Sequence, residues 1–230
     1  MSKKLKKALA WIKERPWYIR RWAVRRRVRS RDFTVISNNC WAGRVYQYLD
    51  MPYLSPTAGL YFFAEDYLKF ISDLRHYLDT PLKFISAEES KYYEELKRRS
   101  QTDKPIGLLD DVEIVFLHYP TAEEAAEKWN RRKERVNYDH LIFKFSRMNL
   151  CTDEHIAKFD AMPLERKFVL NNRPVPRFAS EIYWPGYDNR EDISSDTQPF
   201  PGKLSLVTLL QTRWNKKQTD ISKREEGEQL

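Results

Sequence analysis

No apolar run approaches 18 residues, and the mean hydropathy is −0.73, so the sequence offers no segment for a transmembrane helix. Cysteine is scarce: Cys40 and Cys151 are too few for a disulfide framework. The opening residues lack a continuous apolar stretch followed by a small-residue cleavage site, so a reducing cytoplasm is the expected compartment. The phosphate-cradling patterns G-x-G-x-x-G and G-x-x-x-x-G-K are missing, as is an Asp-x-Asp triplet. His76, His118, His140 and His155 show neither close Cys/His pairing nor a His-Glu-x-x-His spacing, so no metal site is expected and no cofactor is assigned. What the chain does have is aromatic surface, 14% of 230 residues, which excludes a solvated coil and calls for a packed core.

Charge is unevenly placed. Residues 1–31 hold thirteen Lys and Arg against a single Glu14, a net +12, while the remaining 28 basic and 32 acidic residues give −4. Leu5, Leu9 and Ile12 share one face of a helix over Lys4–Arg15, Pro16 interrupts, and a second helix is expected over Trp17–Val28. Trp11, Trp17 and Trp22 among these cations make the composition of an arm lying in an anionic lipid interface, at about 1 kcal/mol per basic residue. A protein partner, nucleic acid or a solubilising tail are the alternatives; the body's net −4 disfavours a polyanion. The expected organisation is an arm over 1–31, a single domain over 32–216 and a polar tail over 217–230.

In the body, short apolar runs alternate with helical spacings. Strands are expected at Phe33–Ser37, Leu82–Ile85, Pro105–Leu109, Val112–His118, Leu141–Phe145 and Lys167–Leu170. Helices are expected at Trp41–Leu49, Ala64–Leu78, Glu88–Arg99, Ala122–Val136 behind a Thr121 cap, a short segment through Asp160 behind Thr152, and Lys203–Lys216. Asp110-Asp111 reads as a turn, and the Pro- and Asp-rich stretch 171–202 as irregular. The alternation predicts an α/β fold, a mostly parallel sheet flanked by helices.

In such sheets ligands bind beyond the carboxyl ends of the strands. That rule selects Ser37, Asn38, Asn39 and Cys40, then His118 and Tyr119, then Ser146 and Arg147, then Asn171 and Asn172. Cys40 opens a helix, where free N–H groups favour a thiolate, and His118 would be its base in a Cys-His pair; the plain alternative is a small buried hydrophobe. His118 is equally a structural histidine or a general base. Glu124, Lys128, Trp129, Arg132 and Arg135 share helical spacings and could face a single ligand; the reading favoured over it is a solvated, salt-bridged face with Trp129 turned inward.

The segments ISNNCWAGRVYQYL, SPTAGLYF, DVEIVFLHYPTAEEAAEKWNRRKERVN and CTDEHIAKFDAMP together resemble a bacterial family described as a domain of unknown function or as exopolysaccharide biosynthesis proteins. The resemblance covers about residues 33–172 and leaves the arm outside. It implies an α/β protein encoded among genes for capsule, lipopolysaccharide or exopolysaccharide assembly. The expectation is a transferase, glycosyl or acyl, peripheral to the inner membrane and acting on a glycan or lipid-linked sugar. His118 and Cys40 are then the catalytic candidates, and Ser37, Asn38, Asn39, Tyr119, Arg147 and Asn172 bind substrate. The alternatives are a Cys40–His118 hydrolase or acyltransferase and a non-catalytic assembly factor.

Overall fold

The structure is a computed structural model that describes residues 19, 21–28, 30–173, 178–196 and 206–211. The expected helix over Lys4–Arg15 and the tail over 217–230 lie outside the described residues. A helical segment over 21–27, α1, precedes β1 (Thr34–Ser37), α2 (Trp41–Leu49), α3 (Ala64–Ser72) and α4 (Leu74–Asp79). Then come β2 (Lys83–Ile85), α5 (Tyr93–Arg98), β3 (Ile106–Leu109), β4 (Val112–Val115) and α6 (Ala122–Lys133). The chain continues through β5 (Leu141–Ser146), α7 (Asp153–Ala161), β6 (Lys167–Asn171), β7 (Glu181–Tyr183) and α8 (Leu206–Gln211).

Four strands in the order β1-β5-β6-β7 form a parallel sheet, and β2-β3-β4 form a separate antiparallel one. Strands β1, β5 and β6 are buried on both faces, which is why their sequences run nearly continuously apolar. Successive side chains serve opposite cores. Val35, Ile142, Phe168 and Leu170 pack with Trp41, Val45 and Tyr46 of α2 and with Leu206 and Leu209 of α8. Ile36, Phe143, Phe145 and Val169 pack with Tyr67 and Phe70 of α3, Trp129 of α6 and Phe159 of α7. The α/β expectation holds: helices flank the parallel sheet on both faces.

The strand expected over Val112–His118 ends at Val115, and three further regions differ, each for a local reason. The helix expected over Ala64–Leu78 breaks at Asp73, whose carboxylate accepts the His76 N–H at 3.3 Å and caps a new helix. The helix expected over Glu88–Arg99 becomes a 3₁₀ turn at Ala87–Glu89 and then α5. Buried Glu113 of β4 draws in the Ser90 hydroxyl and accepts the Lys91 N–H at 3.0 Å, holding the intervening backbone out of a continuous helix. Strand β7 lies in the stretch expected to be irregular; it is three residues long, at the sheet edge, paired Val169 to Glu181. Asp110 and Asp111 do turn the chain, between the paired residues Leu109 and Val112, with Asp110 at φ 56°.

Strand β4 belongs to the antiparallel sheet, so His118 does not follow a strand of the parallel one. The strand-end rule that selected it does not apply there. Tyr61 instead bridges to Val115, and the His118 N–H donates to Gly59 O at 3.0 Å, which carries His118 toward the segment after α2.

Candidate functional site

The turn after β1 is held by its own side chains. The Ser37 hydroxyl donates to Asn39 O at 2.6 Å and accepts the Ala42 N–H at 3.1 Å, which fixes the entry into α2. Asn38 accepts from the Ser146 N–H and donates to Ser146 O, both at 3.1 Å, so its amide completes the edge where β1 meets β5. Asn39 accepts the Trp41 N–H at 3.2 Å and donates to Asp196 Oδ1 at 2.8 Å.

Behind these amides lies an ion pair that the sequence reading did not include. Lys144, inside the apolar strand Leu141–Ser146, donates to Asn39 Oδ1 at 2.9 Å and pairs with Asp196 Oδ2, which also accepts from the Ser146 hydroxyl. Both side chains are fully buried. A lysine in the middle of an otherwise apolar buried strand is the signal in the sequence; the partner 52 residues on is not readable from it.

The segment 184–196 occupies the carboxyl ends of the parallel strands. The Trp184 N–H donates to Asn171 O and the Ile193 N–H to Arg147 O, each at 2.8 Å. Asn172 donates to Tyr187 O at 2.7 Å and Arg190 O at 2.8 Å. Arg147 turns both terminal nitrogens to Asp153. Arg147 Nε and Asn172 Oδ1 stay buried without a partner. Ser37, Asn38, Asn39, Arg147 and Asn172 thus sit at the sheet edge, as expected from their positions, but their polar groups hold the protein's own segments.

The open cleft lies beside this edge, with a volume of about 330 Å³. Cys40, Gly43, Ala58 and Gly59 line it, and Gly43 and Ala58 approach so closely that a Cβ at 43 would stand 3.3 Å from the Ala58 Cβ. Arg44 and Gln47 of α2, with Tyr53, line it further. His118 and Tyr119 contribute, as do Glu124, Lys128 and Arg132 of α6. Cys40 and His118, 78 positions apart in sequence, line the same cleft.

On α6 the favoured reading gives way to its alternative for three of the five residues. Trp129 is turned inward, 1% exposed, as expected, but Arg132 is buried and Glu124 and Lys128 are half-buried in the cleft instead of forming a solvated face. Arg132 Nη1 donates to Ala58 O at 2.9 Å and to the Tyr119 hydroxyl, which donates to the same carbonyl at 2.5 Å. The spacing 124/128/132 was the signal; which side of the helix faces a cleft depends on where the segment 53–59 passes.

Electrostatics separates the two catalytic candidates. Burial, then the nearby Asp196 carboxylate, push the Cys40 thiol up to about 11, although Arg44, Lys144 and the Gly59 N–H oppose them. The thiol donates to Leu60 O at 3.6 Å. It is held protonated at neutral pH, the opposite of what a thiolate nucleophile needs. His118 is moved downward by partial desolvation and then by the positive charges of Arg44 and Lys104. Its imidazole is therefore neutral at pH 7 and able to accept a proton. Among the described residues no cluster of His, Cys, Asp and Glu has the makings of a metal centre.

A family model described as "Domain of unknown function (DUF1919)" matches residues 14–207. The chain belongs to the DUF1919 family. The match runs well beyond 33–172 at both ends and takes in α1, which the resemblance had left outside. An uncharacterized protein of Haemophilus influenzae is 30% identical to this DUF1919 chain over 181 residues, 79% of this chain and 81% of the relative. The cleft residues 40–59 and 118–132 all fall within the family match.

Proposed function

We propose that this DUF1919 protein works in cell-surface polysaccharide assembly, as a transferase at the cytoplasmic face of the membrane acting on a glycan or lipid-linked sugar. The observation that carries the reading is the cleft, where His118, kept neutral, shares a wall with Glu124 and with the hydrogen-bonding groups of Gln47 and Tyr53, whose side chains meet at 2.8 Å. A concave surface with an aromatic ring and converging polar groups suits a sugar hydroxyl. In the step envisaged, an acceptor hydroxyl forms its new bond to the donor's glycosyl or acyl carbon and gives its proton to His118, while the donor's leaving group departs with the bonding electron pair. Cys40 and Tyr119 shape the cleft, Cys40 with its proton retained.

Attachment to a membrane draws support from Ile19, which precedes α1, and Trp22 on α1, which are 59% and 58% exposed in the described part of the basic arm. No helix among the described residues is long and apolar enough to cross a membrane. The test is incorporation of labelled sugar or acyl groups into the lipid and polymer fractions of membranes supplied with the full-length chain. Loss in His118→Ala, with an unchanged circular dichroism spectrum and melting midpoint, supports the reading. Undiminished incorporation in both His118→Ala and Glu124→Gln overturns it.

A further inference from the structure

We infer that the cleft contains a binding site for a phosphate-ester anion, built on Arg132 and completed by Lys128 and Arg44. Arg132 is only 7% exposed, yet it pairs with no carboxylate among the described residues. The contrast with the other withdrawn arginines is direct: Arg147 is turned onto Asp153 and Arg99 onto Glu95. A guanidinium taken out of water with only a carbonyl and a hydroxyl as partners is under-compensated, and a ligand anion restores the balance.

The donor count shows where that anion sits. Nη1 spends its two N–H groups on Ala58 O and the Tyr119 hydroxyl. Nε and Nη2 have no hydrogen-bond partner among the described residues, and neither is sealed from solvent. Three N–H groups of a planar fork therefore remain open to the cleft, the arrangement that matches two oxygens of a phosphate. The Tyr53 ring, 4.5 Å from the guanidinium carbon, fixes the plane of the fork.

Two further cations line the same space. Lys128 is one turn before Arg132 on α6, and its single ion-pair contact among the described residues is a long one, 3.7 Å to Glu127. Arg44 comes from α2, and among the described residues its guanidinium hydrogen-bonds the neutral Gln47 amide, at 3.4 Å, and no carboxylate. Glu124 is the one carboxylate lining the cleft among the described residues, and it stands two helical turns from Arg132, about 12 Å along the axis. With His118 neutral, the lining has three cations and one anion.

The inference rests on the reading of the cleft as the substrate site and adds the ligand's chemistry. A nucleoside diphosphate sugar and a polyprenyl-phosphate sugar both present the required group. Isothermal titration of the full-length chain with inorganic pyrophosphate tests it. One-to-one binding is expected, weakened about tenfold in Lys128→Gln and again in Arg44→Gln, with Arg132→Lys weakened further because it keeps the charge and loses the fork. The Lys128 and Arg44 variants keep the test open if Arg132→Lys does not fold.

Pyrophosphate that binds wild type and the Lys128→Gln/Arg44→Gln double variant alike, or fails to bind while a neutral oligosaccharide does, overturns the site and leaves the glycan reading standing. Pyrophosphate binding lost in the variants, with no transfer from any phosphorylated sugar, upholds the site and removes the transferase reading. Tighter binding of a nucleoside diphosphate sugar than of pyrophosphate upholds the site and assigns a soluble donor; tighter binding of a short-chain polyprenyl-phosphate sugar upholds it and assigns the lipid carrier.

Discussion

Lys144 and Asp196 form an ion pair from which both side chains are excluded from solvent, and the pair ties the segment 184–196 to the middle of the parallel sheet. Asn39 and Ser146 satisfy the remaining polar atoms around it. Removing one member leaves the other charge buried and alone, which costs about 3–5 kcal/mol in comparable pairs. Lys144→Met is therefore expected to lower the urea midpoint sharply. Lys144→Met combined with Asp196→Leu is expected to cost less than the sum of the two single changes. Additive losses in that cycle would mean that the two groups are not coupled in solution.

Gly59 is where the chain passes between the Cys40 turn and Tyr119. Its φ is +85°, and an added Cβ would stand 3.0 Å from Tyr119 Cε2 and 3.1 Å from the Tyr119 hydroxyl. Gly59→Ala therefore meets both a left-handed backbone and the ring whose hydroxyl links Ala58 to Arg132. We expect a loss of about 1–3 kcal/mol in chemical denaturation and a weaker cleft ligand. A variant as stable as wild type would show that the 58–59 segment yields without strain.

Cys40 is partly exposed in the cleft, but its thiol is raised to about 11. Against the ordinary value of 9.0, that leaves roughly 100-fold less thiolate at neutral pH. Labelling of Cys40 by iodoacetamide, followed by peptide mass spectrometry, is expected to be slow at pH 7 and to rise about tenfold per pH unit through pH 10. Cys151 is more deeply buried and pushed to about 12, so it should lag behind Cys40 throughout. Rapid alkylation of Cys40 at pH 7 would restore the thiolate chemistry that the desolvated position argues against.

Much of the fold is legible in local pattern. Trp41–Leu49 is found with the bounds its sequence suggests, because the amphipathic spacing ends at Asp50, which takes the left-handed conformation and closes the helix. Thr121 and Thr152 cap their helices through the N–H groups of Glu124 and His155, as their positions indicate. What local pattern does not carry is pairing across the chain. Glu113 interrupts a helix from 22 residues away, and Asp196 answers a lysine 52 residues before it. The site shows the same division. Cys40 and His118 are both visible as chemistry-bearing residues, and they share a cleft because of the bond from the His118 N–H to Gly59 O, not because both follow parallel strands. Arg132 looks like any surface arginine until the segment 53–59 is laid over it.

The arm's arginines divide between two tasks, and α1 shows how. Arg21 Nε donates to Tyr48 O at 2.7 Å and its Nη2 to Gln47 O at 2.6 Å, taking up carbonyls at the end of α2, while Arg25 pairs with Asp50 at 3.3 Å. Val24 and Val28 pack into the core beside α2, so α1 is fastened to the body. Ile19 and Trp22 point outward, with the Arg26 guanidinium 4.6 Å from the Trp22 ring. An indole and an arginine on the outer side of a fastened helix are placed for headgroup depth, with the body held in one orientation to the lipid. Trp22→Ala and Ile19→Ser are expected to leave the unfolding free energy within about 0.5 kcal/mol of wild type. Each should lower cosedimentation with anionic vesicles on the order of tenfold. Arg21→Ala is expected to do the reverse, lowering stability by about 1 kcal/mol through the two hydrogen bonds lost to the end of α2, with a small effect on vesicle binding. Unchanged vesicle binding by the Trp22→Ala/Ile19→Ser double variant would mean that this side of α1 does not meet the membrane.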